Sequence, residues 1–293
     1  MNKLSPILLG LSLAVAGNGM SAAQDSSSAT VSTPKYLQVV VEYTKPGKGG
    51  LAHDKTESAY VQAMTKAKFP IHYVAFNAMT GKARTNYLSH FDSFDAVQKA
   101  NKIFDNPATA AEFERLNVAD GELLEDTKQL IFSYVPELSY HSKTPSPQIR
   151  YLEARILQVH PGHGKEFEEL VKMWTAAAEK AGSSDHWGAY RVEYGDQIGS
   201  YIFLTADDSM ADIDKSYAEE PKFTAVLSDA DKKKMRELRA AAIANDRFEL
   251  YSVNPAQSYV SEDYIKSDPS FWKPKPAAAP TAKPATEEKK AKP

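Results

Sequence analysis

Apolar and polar positions alternate along residues 151–159, with Leu152, Ala154 and Ile156 on one side and Glu153 and Arg155 on the other, which predicts a strand. A second β-forming run occupies residues 36–43. Each run leads into Pro-Gly-x-Gly, at Pro46, Gly47 and Gly49 and at Pro161, Gly162 and Gly164, a fixed φ followed by residues tolerant of positive φ. A turn and then a helix are expected. In the later stretch Phe167, Leu170, Val171, Trp174, Ala177, Ala178 and Ala181 recur at helical spacing until Gly182. The earlier helix, over about 52–68, carries a weaker stripe of Tyr60, Ala63, Met64 and Ala67 and stops before Pro70. Strands follow at 72–77 and 84–91, with counterparts at 186–194 and 200–205. Asp92 or Ser93, and Asp207 or Asp208, then cap helices carrying Phe94, Val97 and Ile103 or Met210, Ile213 and Tyr217. Final strands are expected at 129–135 and 247–253.

The two series are copies. Aligning Pro46 with Pro161 also aligns Tyr36 with Tyr151 and Leu37 with Leu152. With one residue fewer in the second copy, His72, Ala75, Phe76, Gly81 and Tyr87 meet His186, Ala189, Tyr190, Gly195 and Tyr201, and Pro107 meets Pro221. Each copy reads β-α-β-β-α-β, the ferredoxin-like plan of the α+β class. The expected layout is a signal peptide at 1–23, a disordered spacer at 24–35, repeat one at 36–141, a linker at 142–150 and repeat two at 151–260. A C-terminal extension at 261–293 ends in a disordered Pro/Ala/Lys tail.

This pattern of strand, PGxG turn and helix start, clearest at His160 to Leu170, resembles the dimeric α/β-barrel superfamily, and within it the NIPSNAP-like and antibiotic-biosynthesis-monooxygenase-like domains. The resemblance covers about 36–140 and 151–259. It implies two ferredoxin-like units placed sheet against sheet with helices outside. With both units in one chain, an intramolecular pseudo-dimeric α/β barrel is expected, complete within the monomer. Members of that superfamily include cofactor-free oxygenases, haem-degrading enzymes, isomerases and proteins without known activity, so the resemblance fixes no reaction. The haem branch implies an axial histidine on a helix. Of the seven histidines only His53 comes near one, at a helix start, which counts against haem.

Composition sets the compartment. Residues 1–23 combine Lys3, an apolar run over 4–16 and small residues Ser21 and Ala23 before Gln24, a secretory signal pattern that predicts a periplasmic or secreted protein. Cysteine is absent, which removes disulfides, lipoprotein anchoring, thiol catalysis and iron–sulfur ligation. A net charge of −3 gives no electrostatic case for nucleic acid or an anionic membrane, and no span is expected after signal removal.

Candidate ligand-binding residues gather on the second strand of each copy. His72 and His186 occupy equivalent places beside Tyr73 and Trp187, where an imidazole could act as base or hydrogen-bond partner to a phenolic ligand; the alternative is a strand-end histidine half in water. Asn77, Tyr73, Trp187 and Tyr190 are the amide and aromatic types that polyphenol oxygenases use. Glu153 and Arg155, with Trp187, Arg191 and Glu193, would line a polar interior if their strand faces met between the sheets, or form an Arg–Glu network that fixes how the halves dock. His160 and His163, in HPGH, lack a carboxylate at helical spacing and read as a solvated turn. Glu166, Glu168 and Glu169 oppose an anion at the adjoining helix start. Neither metal nor cofactor is assigned. The reading is an exported protein that binds a small aromatic or polar organic molecule, with a cofactor-independent oxygenase or isomerase activity open; the rival is an envelope interaction protein working through its tail.

Overall fold

A computed structural model describes residues 34–142 and 146–273; the expected signal peptide, most of the spacer and the Pro/Ala/Lys tail lie outside the described residues. Eight strands are antiparallel to both neighbours: β1 (Tyr36–Thr44), β2 (Tyr73–Ala78), β3 (Arg84–Phe91), β4 (Leu124–Tyr134), β5 (Tyr151–Val159), β6 (Gly188–Tyr194), β7 (Ser200–Asp207) and β8 (Ile243–Val253). They close in the order β1-β3-β2-β8-β5-β7-β6-β4. Full closure leaves no bare strand edge in the ring. The mixed α+β class expected from the sequence is thus observed, with helices α1 (Leu51–Ala67), α2 (Phe94–Asn101), α3 (Pro107–Gly121), α4 (Gly164–Ala181), α5 (Met210–Ala225) and α6 (Asp229–Ala242) between the strands.

The strands have two apolar faces. One cluster draws Leu37, Val39 and Val41 of β1, Leu152 and Ala154 of β5, Tyr190 and Val192 of β6 and residues of every other strand into the interior of the ring. The opposite faces carry the helices: Leu157 and Val159 of β5, Ala189 of β6 and Phe203 of β7 pack on Phe167 and Val171 of α4 and on Ala242 of α6. Helix α4 ends at Gly182, whose φ of 62° is left-handed as its glycine predicts; Lys68 takes the matching place after α1 at φ 52°.

Several boundaries differ from the pattern-based ones. The last strands begin earlier, at Leu124 and Ile243, because Thr44 and Val159 pair with those residues and prolong ladders that polar sequence had concealed. Strands β2 and β6 begin after His72 and His186, so both histidines sit on the approach to their strands. Ser93 caps α2 by accepting from Ala96 N, and α5 begins after Ser209 rather than Asp207 or Asp208. Met210 and Tyr217, expected in the stripe of α5, are exposed, and Ile213 alone of the three is buried.

The extension after β8 has structure of its own. Short helices α7 (Glu262–Ser267) and α8 (Pro269–Trp272) fold over one end of the ring, where Trp272 joins Ile149 in the interior cluster. Trp272 Nε1 donates to Pro147 O at 2.8 Å, Arg150 pairs with Asp268, and the Arg150 guanidinium lies 3.7 Å from the Phe271 ring centre.

Candidate functional site

Alternating direction around an eight-membered ring places the starts of β2 and β6 and the ends of β3 and β7 at one mouth. A cavity of about 600 Å³ opens there. Phe76, Leu88, Leu152 and Leu204 supply apolar walls, His72, His186, Asp185 and Asp207 stand around it, and Val260, Ser261 and Tyr264 of the C-terminal extension contribute to its lining.

Its inner polar feature spans the two halves of the chain. Tyr190 of β6 is buried, and its hydroxyl lies 3.4 Å from His90 Nε2 of β3. Burial pushes His90 down to about 4 and holds the Tyr190 phenol above its ordinary range, so both are neutral at pH 7. The repeat alignment sets Phe76 opposite Tyr190 and Leu204 opposite His90. The His90–Tyr190 pair is therefore not repeated at the matching positions of β2 and β7, which are apolar.

At the rim, His186 Nε2 lies 3.0 Å from Ala206 O, and Thr205 Oγ1 donates to His186 O at 3.0 Å. His72 stacks on Tyr259, ring centres 4.7 Å apart. Asp207 is buried, its Oδ2 has no hydrogen-bond partner, and burial together with neighbouring Asp212, Asp208 and Asp185 raises it to about 6 against the pull of His186. Glu153 is raised to about 7, chiefly by burial and then by Asp207 and Asp185. An unsatisfied acceptor beside a polar rim suits a ligand that donates hydrogen bonds or carries positive charge.

Of the ten residues singled out in the sequence, His72, Tyr73, His186 and Tyr190 line this cavity. The rest fall elsewhere. Arg155 and Glu153 share the helix-facing side of β5, where Arg155 forms a two-pronged pair with Asp246 of neighbouring β8 and lies 4.7 Å from the Trp174 ring of α4, so the reading of that face as a polar interior is corrected to a charge pair between adjacent strands beneath a helix. Arg191 and Glu193 pair with each other at 3.0 Å on an exposed face of β6, because Tyr190 and Val192 take the inward positions. Trp187 precedes β6 and donates to Leu138 O at 2.8 Å on the helix side. Asn77 accepts from Thr85 Oγ1 at 2.9 Å, one place out of step with inward Phe76. His90, Asp185 and Asp207 were missed. His90 could have been found from its two-residue spacing to Leu88 in β3, whose inward face it shares with Arg84 and Asn86.

Fold and cavity define the class of this chain: an eight-stranded antiparallel α+β barrel with a ligand-sized opening at one end. No family model and no curated protein sequence matches it. Solved structures similar to it include a presumed monooxygenase from Fusobacterium nucleatum, 12% identical with a TM-score of 0.49 over 75% of this chain and 92% of that one. An anthrone oxidase-like protein is 11% identical with a TM-score of 0.47, over 78% and 95%. A mutant chlorite dismutase from Candidatus Nitrospira defluvii in complex with cyanide is 10% identical with a TM-score of 0.47, over 81% and 96%. At such identities and scores none of these likenesses carries an activity to this chain.

Proposed function

We propose that the chain is an exported protein made of two homologous ferredoxin-like halves, paired as a pseudo-dimer within one polypeptide, which binds a small organic molecule at the barrel mouth. The ligand has an aromatic or otherwise flat apolar body and an end that donates hydrogen bonds. The observation that carries this reading is the neutral His90–Tyr190 pair set beside the apolar walls Phe76, Leu88, Leu152 and Leu204 of a polar-rimmed cavity of about 600 Å³, a size and polarity suited to such a molecule. Export rests on the signal pattern of residues 1–23, and kinship with NIPSNAP-like and antibiotic-biosynthesis-monooxygenase-like domains rests on the repeated strand, PGxG turn and helix.

Binding is favoured over proton-transfer catalysis by one argument. An imidazole that titrates at about 4 accepts a hydrogen bond at neutral pH but holds an abstracted proton poorly. His90 is therefore a recognition group for a ligand hydroxyl or ammonium.

Tyramine and 2-naphthol, titrated by calorimetry and by thermal shift, test the reading. At least one should bind and raise Tm, and His90→Leu and Tyr190→Phe should each weaken it about five- to thirtyfold, the worth of one buried hydrogen bond of ~1–2 kcal/mol. Affinity indifferent to both substitutions, or no response to either probe at millimolar concentration, would remove the mouth cavity as the site.

A further inference from the structure

Between sheet and helices of the first half lies a second polar constellation, remote in kind from the mouth cavity. Glu42 of β1, His53 and Glu57 of α1 and Asp120 of α3 are each at most 4% exposed, and one donor atom from each falls within 4.8 Å of the other three. His53 Nε2 is 3.1 Å from Glu42 Oε2 and 3.6 Å from Asp120 Oδ1. His53 and Glu57 are four residues apart, one turn of α1, so both point to the same side.

The second half shows what this layer contains when it serves packing alone. Leu157 stands opposite Glu42 by the same alignment that matches Pro46 with Pro161, and on α4 the buried positions four apart, held on α1 by His53 and Glu57, are taken by Phe167 and Val171. With Ala242 of α6 they form one continuous apolar cluster. The first half instead has two smaller clusters, Tyr60 and Ala63 with Phe113 and Leu116, and Val40 with Ala75 and Tyr87. The fold thus does not need four ionisable groups here.

Burying three carboxylates and an imidazole together is expensive unless something compensates their charge. Thr56 donates to Asp120 Oδ1 at 2.6 Å, and His53 Nδ1 faces Gln257 Nε2 at 3.3 Å. Gln257 Nε2 also donates to Asp54 Oδ1 at 2.9 Å, which ties the far side of the ring to the segment beyond β8. Glu57 Oε1, however, is buried with no hydrogen-bond partner. A small cavity of about 120 Å³, lined in part by Glu42, Glu57, Tyr60, Tyr73 and Tyr87, adjoins the cluster.

We propose that Glu42, His53, Glu57 and Asp120 form a binding site for one divalent metal ion. One imidazole nitrogen and three carboxylate oxygens suit a borderline-hard dication such as Mn²⁺ or Fe²⁺, with Zn²⁺ a competitor, and two positive charges leave the set close to balanced. The unpartnered Glu57 oxygen is the donor that the ion satisfies. The neighbouring cavity leaves room for a water or small ligand on the ion.

The test uses purified protein stripped with chelator, dialysed, and titrated with MnCl₂, anaerobic FeSO₄ and ZnCl₂. Calorimetry gives stoichiometry, loss of the free Mn²⁺ electron paramagnetic resonance signal gives occupancy, and thermal shift reports stabilisation. One ion per chain with a dissociation constant of micromolar or below is expected, together with a rise in Tm. The near-isosteric Glu57→Gln should weaken binding at least tenfold. A fourfold variant carrying the second half's apolar residues, Glu42→Leu, His53→Phe, Glu57→Val and Asp120→Ala, should bind no ion. If that variant does not fold, Glu57→Gln alone decides. Failure of all three ions to bind at millimolar concentration, or unchanged affinity in Glu57→Gln, overturns the assignment and leaves a proton-sharing structural network.

Discussion

Replacing Asp207 with asparagine should make the protein more stable at alkaline pH and leave it almost unchanged in acid. The carboxyl is 6% exposed, its Oδ2 lacks a partner, and it titrates at about 6 where an ordinary aspartate titrates at 3.8. A folded-state value above the unfolded one means that the native protein holds the proton more tightly, so its contribution is complete below the unfolded value and is lost as pH rises through about 6. The difference corresponds to about 3 kcal/mol, reduced to about 1–2 kcal/mol by solvent reaching the group through the cavity mouth. For a fold of this size that is a Tm gain of about 2–8 °C at pH 8, shrinking towards zero near pH 4. Glu153, raised to about 7 in part by Asp207, should relax in the same direction and add to the gain. The parent's own pH profile is a poor guide, because His90, depressed to about 4, works oppositely: its contribution is present above 6.5 and is lost as pH falls towards about 4. Melting curves of parent and variant at matched pH from 4 to 8, read as a difference, isolate Asp207. A flat difference, or a variant less stable at pH 8, would refute the reasoning.

Two further substitutions probe the architecture. Trp272→Ala should cost about 3–5 kcal/mol in urea unfolding and increase binding of a hydrophobic dye, since the indole caps the interior cluster at the mouth; a loss below about 1 kcal/mol would show that the extension is not part of the core. Gly195→Ala should lower stability by at least about 2 kcal/mol, because φ at this residue is 92° and a Cβ would stand 2.0 Å from Gln129 O where β4 meets β6; a neutral result by chemical denaturation would show that this junction yields freely.

The elements were legible because their signals are local. Pro46-Gly47 and Pro161-Gly162 announce the turns, and α4 announces itself through Phe167, Val171 and Trp174. The site was only half legible. Tyr190 and Trp187 both looked like ligand-facing aromatics, yet in β6 only alternate positions look inward, and which ones do so depends on the opposite wall. Glu153 and Arg155 were correctly grouped on one face, but both faces of β5 are covered, and charge did not reveal that theirs meets a helix. The four-group cluster was hidden for another reason. His53 and Glu57 display one-turn spacing, whereas Asp120 reaches them only after α3 folds back across α1, and no pattern short of the folded layer joins those segments.

The ring is unevenly fastened. Strand β2 meets β8 through Phe76, Asn77 and Ala78 alone. Nearer the mouth it is held by the segment just beyond β8: Ala75 N donates to Ser258 Oγ, Asn254 N to Ala75 O and Tyr73 N to Tyr259 O. Gln257, which touches His53, belongs to that same stretch. A polypeptide made from its amino end therefore stays unlaced on this flank, with His53 still lacking its Gln257 neighbour, until residues 254–259 have emerged, and both cavities are completed only then.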